Sequence, residues 1–447
     1  MADTIFAPAT AAGRNAIAVI RISGPACADV CRRLTGSPPP PPRQAALRRL
    51  YDPANGEAID QGLVLWFPGP ASATGEDVLE LQVHGGRAIM TLLLLVLARL
   101  PGLRPADPGE FSRRAFLHGR IDLTAAEGLA DLIAAETRAQ ARQALRQLDG
   151  ELGRLYDRWS QELVSALARL EAEIDFASDQ EVADDMLAVI RPALSGVSAE
   201  MARHLDDAGR GERLRNGLTI AVIGPPNAGK SSLINRLALR DVAIVTPEPG
   251  TTRDVLEVHL DLGGYPVTVL DTAGLRAAMG DAEAEGVRRA RQRAAQADLR
   301  LALFDGALWP DLDPATLELV DAWTLVAVNK ADLGRLGAEP MVAGRRAQPL
   351  SCLTGSGLDA LLRLLREQAT LQMATGMAPV LTRARHRAAV QAALEALGRG
   401  MGPAPNGELA LVAEDLRLAV RAIGRITGRV GVEDLLDRIF AEFCIGK

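Results

Sequence analysis

The segment Gly224-Pro225-Pro226-Asn227-Ala228-Gly229-Lys230-Ser231 satisfies G-x-x-x-x-G-K-[ST] in full. Such a loop can turn its backbone N–H groups onto phosphate oxygens, and a helix starting behind it adds positive potential. Lys230 would reach the β- and γ-phosphates, Ser231 would ligate Mg²⁺, and Ala228, Gly229 and Ser232 complete the cradle. Three further segments follow in the order a guanine-nucleotide site needs. Gly250-Thr251-Thr252-Arg253-Asp254 supplies hydroxyls, with Thr252 the candidate second protein ligand on Mg²⁺. Asp271-Thr272-Ala273-Gly274 supplies a carboxylate that can hold the metal through water and, at Gly274, an N–H for the γ-phosphate. In Asn329-Lys330-Ala331-Asp332, Asp332 would accept from guanine N1–H and the exocyclic amine. Adenine presents neither donor in that geometry, so the motif selects GTP. Ser351-Cys352-Leu353 stands where such domains place a base-contacting loop, which makes Cys352 a loop residue and not a nucleophile.

Hydrolysis needs a group that orients the attacking water. Ras-like enzymes place a glutamine after the D-x-x-G element. Here that position is Leu275. Glu283 and Glu285 lie downstream, and from the residues alone they read as solvated helix surface.

The elements that must position these residues are legible. Leu218–Ile223, Val267–Leu270 and Leu325–Val328 are apolar, β-branched runs suited to buried strands, each ending at a motif. Ser232–Leu237 has helical spacing. The expected fold is multi-domain: an α+β N-terminal unit, a helical domain, and a P-loop α/β (Ras-like) GTPase domain inserted into it. The boundaries fall at 1–118, 119–213, 214–378 and 379–447. In the first unit, Ala16–Ile22 and Thr74–Gly86 read as strands, Ser37–Gln44 as an extended proline-rich connector, and Met90–Leu100 as a buried helix. Thr124-Ala125-Ala126-Glu127 reads as a capping box. Arg138, Arg142 and Arg146 form a basic stripe, either a nucleic-acid face or, more commonly, a solvated one.

With 447 residues, 48% hydrophobic and 24% charged, the chain has ample material for about three domains. Aromatics are only 3%, so the cores are aliphatic. A net charge of −6 argues against a dominant electrostatic grip on nucleic acid but leaves room for a local basic patch. Four cysteines, at 27, 31, 352 and 444, read as reduced thiols of a cytoplasmic protein, with Cys27 and Cys31 as packing residues. No apolar run reaches the roughly 18 residues of a membrane span. The terminal Cys444-Ile445-Gly446-Lys447 admits a prenylation box or a tail that folds back into a site. Gly446 and Lys447 suit prenylation poorly.

Across nearly its whole length the sequence resembles the MnmE (TrmE) family, bacterial GTPases of tRNA wobble-uridine modification. The resemblance rests on "RISGP", "TGEDVLE", "PGEFSRRAFLHGRIDL", "GPPNAGKSSLIN", "GTTRD", "DTAGLR", "NKAD" and the terminal "CIGK". It implies a constitutive homodimer through the N-terminal domains, with G domains that pair when GTP is bound. It implies a tetrahydrofolate derivative (5-formyl or 5,10-methylene) held by Arg21, Glu80, Arg120 and Lys447, with Arg120 standing where Lys also occurs in the family. It implies a potassium ion in the place of an arginine finger, held by Asn227, Thr251 and backbone carbonyls near Thr246 and Glu248, with Thr246 joining the nucleotide site. By the same resemblance Glu283 would orient the water and act as the catalytic residue with Lys230. Glu285 occupies a position the family does not need acidic. The resemblance further implies a partner, MnmG, that carries FAD. Together they would install an aminomethyl or carboxymethylaminomethyl group on C5 of U34, with Cys444 carried to the folate site to assist. The rival reading is a GTP-switched assembly factor for ribosomes or RNA, which would carry an RNA-binding module in place of the N-terminal segment.

Overall fold

The computed structural model describes residues 3–447 except 12, 177–180, 245–256, 272–296, 338, 377, 403–408, 432, 442, 444–445 and 447. The chain divides into two compact units. One comprises Met1–Ala130, Gln147–Ala183 and Ala404–Lys447; the other comprises Asp131–Arg146 and Asp184–Pro403. The helical residues on either side of the nucleotide motifs are thus shared between the two units.

The first unit is built on a six-stranded sheet of β1 (Thr4–Pro8), β2 (Asn15–Ser23), β3 (Ala46–Tyr51), β4 (Ala58–Phe67), β5 (Val78–Gly85) and β6 (Leu103–Pro105), in the order β3-β4-β5-β2-β1-β6. Only the β1–β6 pairing is parallel. Alternation along the strands sends Ile20, Ile22, Leu79 and Leu81 to one face, where Val30 and Leu34 of α1 (Cys27–Thr35) and Leu93 and Leu97 of α2 (Arg87–Arg99) join them in one core. Cys27 and Cys31 are fully buried in that core. The opposite face carries Ala7, Arg21 and Glu80, adjacent in register across β1, β2 and β5. The helix expected over Met90–Leu100 is α2, which buries Leu93, Val96 and Leu97 on one side and exposes Leu92 and Leu95 on the other. The strand expected over Thr74–Gly86 begins only at Val78. Thr74 and Glu76 lie in the preceding loop, where their side chains bond Ser23 and Arg114.

The α4 helix (Leu123–Ala134) follows α3 (Glu110–Leu117). Its cap is Asp122, whose carboxylate accepts the Ala125 N–H at 2.7 Å and the Thr124 hydroxyl at 2.8 Å. Thr124 is therefore the capped residue and not the cap. The box expected at Thr124–Glu127 instead forms the first turn of the helix, since Asp122, two residues earlier, supplies the charged acceptor. The helix Glu433–Ala441 closes over α3, with Phe440 against Phe116 and Phe443 and an Arg113–Asp437 ion pair at 3.0 Å.

The second unit holds a six-stranded sheet of order β14-β11-β10-β7-β9-β8. Its strands are β7 (Leu218–Ile223), β8 (Glu257–Asp261), β9 (Pro266–Asp271), β10 (Leu299–Asp305), β11 (Thr324–Asn329) and β14 (Gln348–Pro349); β12 (Met341–Val342) and β13 (Arg345–Arg346) form a separate ribbon. All pairings but β8–β9 are parallel. The central strand β7 reads as a near-continuous apolar run because both its faces are covered. Leu233, Ile234 and Leu237 of the helix Lys230–Ala238 and Leu361 and Leu365 of the helix Leu358–Met373 cover one face; Phe304, Val326 and Val328 belong to the core on the other.

Candidate nucleotide site and a second polar face

In an open parallel sheet, ligands bind beyond the carboxyl ends of the strands. Every described nucleotide-motif residue lies there. The loop Gly224–Gly229 leaves the end of β7, Asp271 is the last residue of β9, Asn329 the last of β11, and Ser351 follows β14. Gly224, at φ +155°, leaves no room for a side chain, because a Cβ would fall 2.2 Å from the Leu303 carbonyl oxygen. A Cβ on Gly229 would lie 2.2 Å from Asn329 Nδ2. The glycines let the loop pass against β10 and β11. Asn227 takes the left-handed conformation that Asn tolerates.

The Lys230 ammonium donates to the Gly224 and Pro225 carbonyls at 2.8 and 2.9 Å, so the loop wraps it. Burial pushes this lysine's pKa down, against the pull of Asp271 and Asp313. A cation so placed gains most from an anion in the same loop. Ser231 Oγ donates to Asp271 Oδ2 at 2.7 Å. Two hard oxygen donors meet there, a donor set that fits Mg²⁺.

Asn329 fastens two loops together. Its Nδ2 donates to the Ala228 carbonyl at 2.8 Å, and its Oδ1 accepts the Cys352 N–H at 3.0 Å. Lys330 pairs with Asp305, the last residue of β10, at 2.5 Å. Asp332 is exposed at the rim of a cleft of about 640 Å³ lined also by Ser232, Lys330, Ser351, Cys352 and Leu353. Burial pushes the Cys352 thiol up to about 11, which keeps it protonated. Two residues of this framework escaped the sequence reading. Arg236 donates to the Cys352 carbonyl at 2.8 Å and the Leu353 carbonyl at 2.7 Å. Asp305 holds Lys330. The apolar run ending in Asp305 was a usable signal for the latter; nothing local marked Arg236. Thr246, Glu248, Thr251, Thr252, Thr272, Ala273, Gly274 and Glu283, with Leu275 and Glu285, lie outside the described residues.

In the first unit Arg21 Nε and Nη2 both reach Glu80 Oε1 at 2.9 Å, and the guanidinium stands 6.0 Å from the Phe111 ring centroid. Arg120 is exposed, its side chain beside Gly75. The tail returns to this sheet. Gly446, at φ +96°, packs so closely that a Cβ would lie 2.0 Å from the Pro8 carbonyl oxygen. Pro8 follows Ala7, the register partner of Arg21. Cys444 and Lys447 lie outside the described residues. On the same face as Arg21, two residues further along β2, Ser23 bonds Thr74 and Glu76; Arg114 bonds Glu76, Glu110 and Asp3; Arg104 bonds Glu110. This network ties together the segments around "RISGP", "TGEDVLE" and "PGEFSRR". Burial raises the Glu110 pKa, but hydrogen bonds from Arg104, the Asp107 N–H and Arg114 outweigh it and hold the carboxyl below its usual range. Arg138 and Arg142 of α5 (Arg138–Leu148) are exposed, whereas Arg146 is half-buried and donates to the Gly376 carbonyl at 3.4 Å, so the stripe is not one uniform face. No helix of the described residues is long and apolar enough to cross a membrane.

Comparison with known proteins agrees with this architecture. The model of the MnmE helical domain matches residues 123–444, and that of the GTP-binding protein TrmE N-terminus matches residues 4–120. A tRNA modification GTPase MnmE of Paramagnetospirillum magneticum is 56% identical over 450 residues, covering 100% of both chains. That of Rhodospirillum rubrum is 53% identical, covering 100% of this chain and 99% of its own. The human mitochondrial 5-taurinomethyluridine-[tRNA] synthase subunit GTPB3 is 49% identical, covering 99% of this chain and 93% of its own. With both halves of the architecture matched and relatives aligned end to end, the chain belongs to the MnmE (TrmE) family of GTPases.

Proposed function

We propose that this chain is the GTP-hydrolysing subunit of a tRNA-modifying pair. With an FAD-bearing partner, MnmG, it installs an aminomethyl or carboxymethylaminomethyl group at C5 of wobble uridine U34. The observation that carries the reading is the sheet face on which Arg21 is bonded to Glu80, with Gly446 packed against the backbone of the neighbouring strand at Pro8. A GTP-switched assembly factor has no use for that face. In this reading Arg21, Glu80, Arg120 and Lys447 hold a reduced folate, which supplies the one-carbon unit when bound. Glu80, oriented by Arg21, offers its carboxylate to pterin N–H donors, and Arg120 offers a cation to the folate's carboxylates. Cys444 assists the reaction at that site in the same reading.

At the nucleotide, Lys230 and the loop N–H groups hold the phosphates, Ser231 and Thr252 hold Mg²⁺, and Asp332 reads guanine. Asn227, Thr246, Glu248 and Thr251 hold K⁺, and Glu283 orients the water. The working organisation is residues 1–118 for folate binding and homodimerisation, 119–213 and 379–447 for the helical domain, and 214–378 for the G domain, in a cytoplasmic protein.

The test is mass spectrometry of tRNA nucleosides from cells lacking this gene and from cells with it restored. Loss and recovery of C5-aminomethyl-type uridines is expected. An unchanged profile would sink the modification reading and favour the assembly factor, which a measured affinity for reduced folate separates independently. GTP turnover should be faster in K⁺ than in Na⁺ at equal ionic strength; equal rates would remove the potassium ion alone.

A further inference from the structure

The second unit carries a cavity of about 670 Å³ at the end of its sheet away from the nucleotide loops. The β8–β9 turn forms part of its wall; the register pairs Asp261 with Pro266 at this end and Glu257 with Leu270 at the end nearer Asp271. Three guanidinium groups line it. Arg138 and Arg142 come from α5, one helical turn apart and therefore on one face, and Arg366 comes from the helix Leu358–Met373. None of the three makes an ion pair or a side-chain hydrogen bond among the described residues. In a chain whose acidic residues outnumber its basic ones, 56 to 50, three unpaired arginines on one cavity are unusual.

Their positions are set by packing and not by neutralisation. A Cβ on Gly263, at φ +73°, would fall 2.2 Å from Arg366 Nε and 2.6 Å from Nη2, so the guanidinium lies over bare backbone. The α5 backbone is tied to the same turn, since the Ala139 N–H donates to the Gly264 carbonyl at 3.1 Å. Of the two carboxylates in the lining, Asp261 is already committed to the turn, accepting the Gly264 N–H at 2.5 Å. Three like charges held this way repel one another until an anion with several oxygens enters, and the planar guanidinium fork matches phosphate. The remaining lining argues for nucleic acid over an acidic peptide. Tyr265 offers an aromatic ring, and the exposed Asp241 offers an acceptor for sugar hydroxyls or base amines, donors that a polyglutamate or polyaspartate side chain lacks.

We propose that this cavity binds backbone phosphates of RNA and is a contact surface for the tRNA substrate. The inference rests on the tRNA-modifying reading above. It is tested with the full-length chain and the triple variant R138A/R142A/R366A, using fluorescein-labelled tRNA and anisotropy across a KCl series. The triple variant is expected to bind at least about 30-fold more weakly in low salt, and the slope of log K against log[salt] to flatten by about 2 to 3. Arginine-to-lysine changes at the same positions should restore most of the slope. Unchanged GDP affinity shows that the variants are folded. If the parent chain binds tRNA and the triple variant keeps both affinity and slope, the cavity assignment is overturned while the tRNA reading stands. If the parent chain shows no salt-dependent tRNA binding, both fail. Displacement of tRNA from the parent chain by polyglutamate as effectively as by unlabelled RNA would overturn the RNA assignment in favour of an acidic protein.

Discussion

Asn329→Ala tests whether the nucleotide site depends on a single side chain that joins two loops. Asn329 is 3% exposed, and its amide satisfies the Ala228 carbonyl on one side and the Cys352 N–H on the other. Truncation orphans both groups at once. Each buried unsatisfied group costs about 1–3 kcal/mol, so the pair costs about 2–6 kcal/mol. Water admitted to the small void would recover part of this, which favours the lower end. Both loops still have anchors, Arg236 for Cys352–Leu353 and the β7 core for the glycine loop, so the unit should fold. The penalty then appears where the two loops must be held together, in nucleotide binding. At about 1.4 kcal/mol per tenfold, 2 kcal/mol is roughly 30-fold in Kd. The assay is titration with a fluorescent GTP analogue, alongside thermal unfolding. Asn329→Asp sharpens the test: it keeps an acceptor for the Cys352 N–H but sets a carboxylate oxygen against the Ala228 carbonyl, and should bind more weakly than the alanine variant. A Kd for Asn329→Ala within about threefold of the parent would refute the reasoning.

Four further outcomes are expected. Asp332→Asn should lose GTP affinity and gain affinity for xanthosine triphosphate, whose C2 carbonyl needs a donor; an unaltered preference would remove Asp332 from base recognition. Gly446→Ala should weaken binding of a reduced folate in calorimetry with little change in Tm, because a Cβ would displace the tail from the Pro8 carbonyl; intact folate binding would detach the tail from the site. Asp131→Ala should lower the unfolding midpoint of the unit that contains it, since one carboxylate oxygen accepts from Arg215 at 2.8 Å and Arg383 at 2.9 Å, and each charge-assisted hydrogen bond lost costs about 1.5–3 kcal/mol. Burial pushes His204 down to about 4, so the folded chain keeps it neutral where the unfolded chain begins to bind a proton near pH 6.5. Stability should therefore be intact above pH 6.5 and fall by up to about 3 kcal/mol as pH drops toward 4. Urea melts of His204→Gln should lack that part of the pH dependence.

The primary sequence alone determined the nucleotide motifs, because each is a contiguous loop whose geometry is local. Gly224 and Gly229 need positive φ, Lys230 and Ser231 open a helix, and the apolar runs ending at Asp271 and Asn329 are strands paired in parallel with a neighbour in the sheet. The apolar run Ala16–Ile22 also marked β2, and the 3% aromatic content marked the cores as aliphatic. What depended on tertiary structure was every pairing between distant segments. Arg21 meets Glu80 only because the β2–β5 register sets them side by side. Asn329 meets Ala228 because parallel strands deliver their ends to one edge of the sheet. The Asp122 cap displaced the box read at Thr124, a choice between neighbouring acceptors that depends on how the chain enters the helix. The stripe Arg138, Arg142 and Arg146 has one spacing but two environments, since only the fold brings Arg366 and the β8–β9 turn to the first two. Spacing records what is near along the chain; sheet register and helix packing decide which distant side chains share a surface, and charge acquires meaning only there.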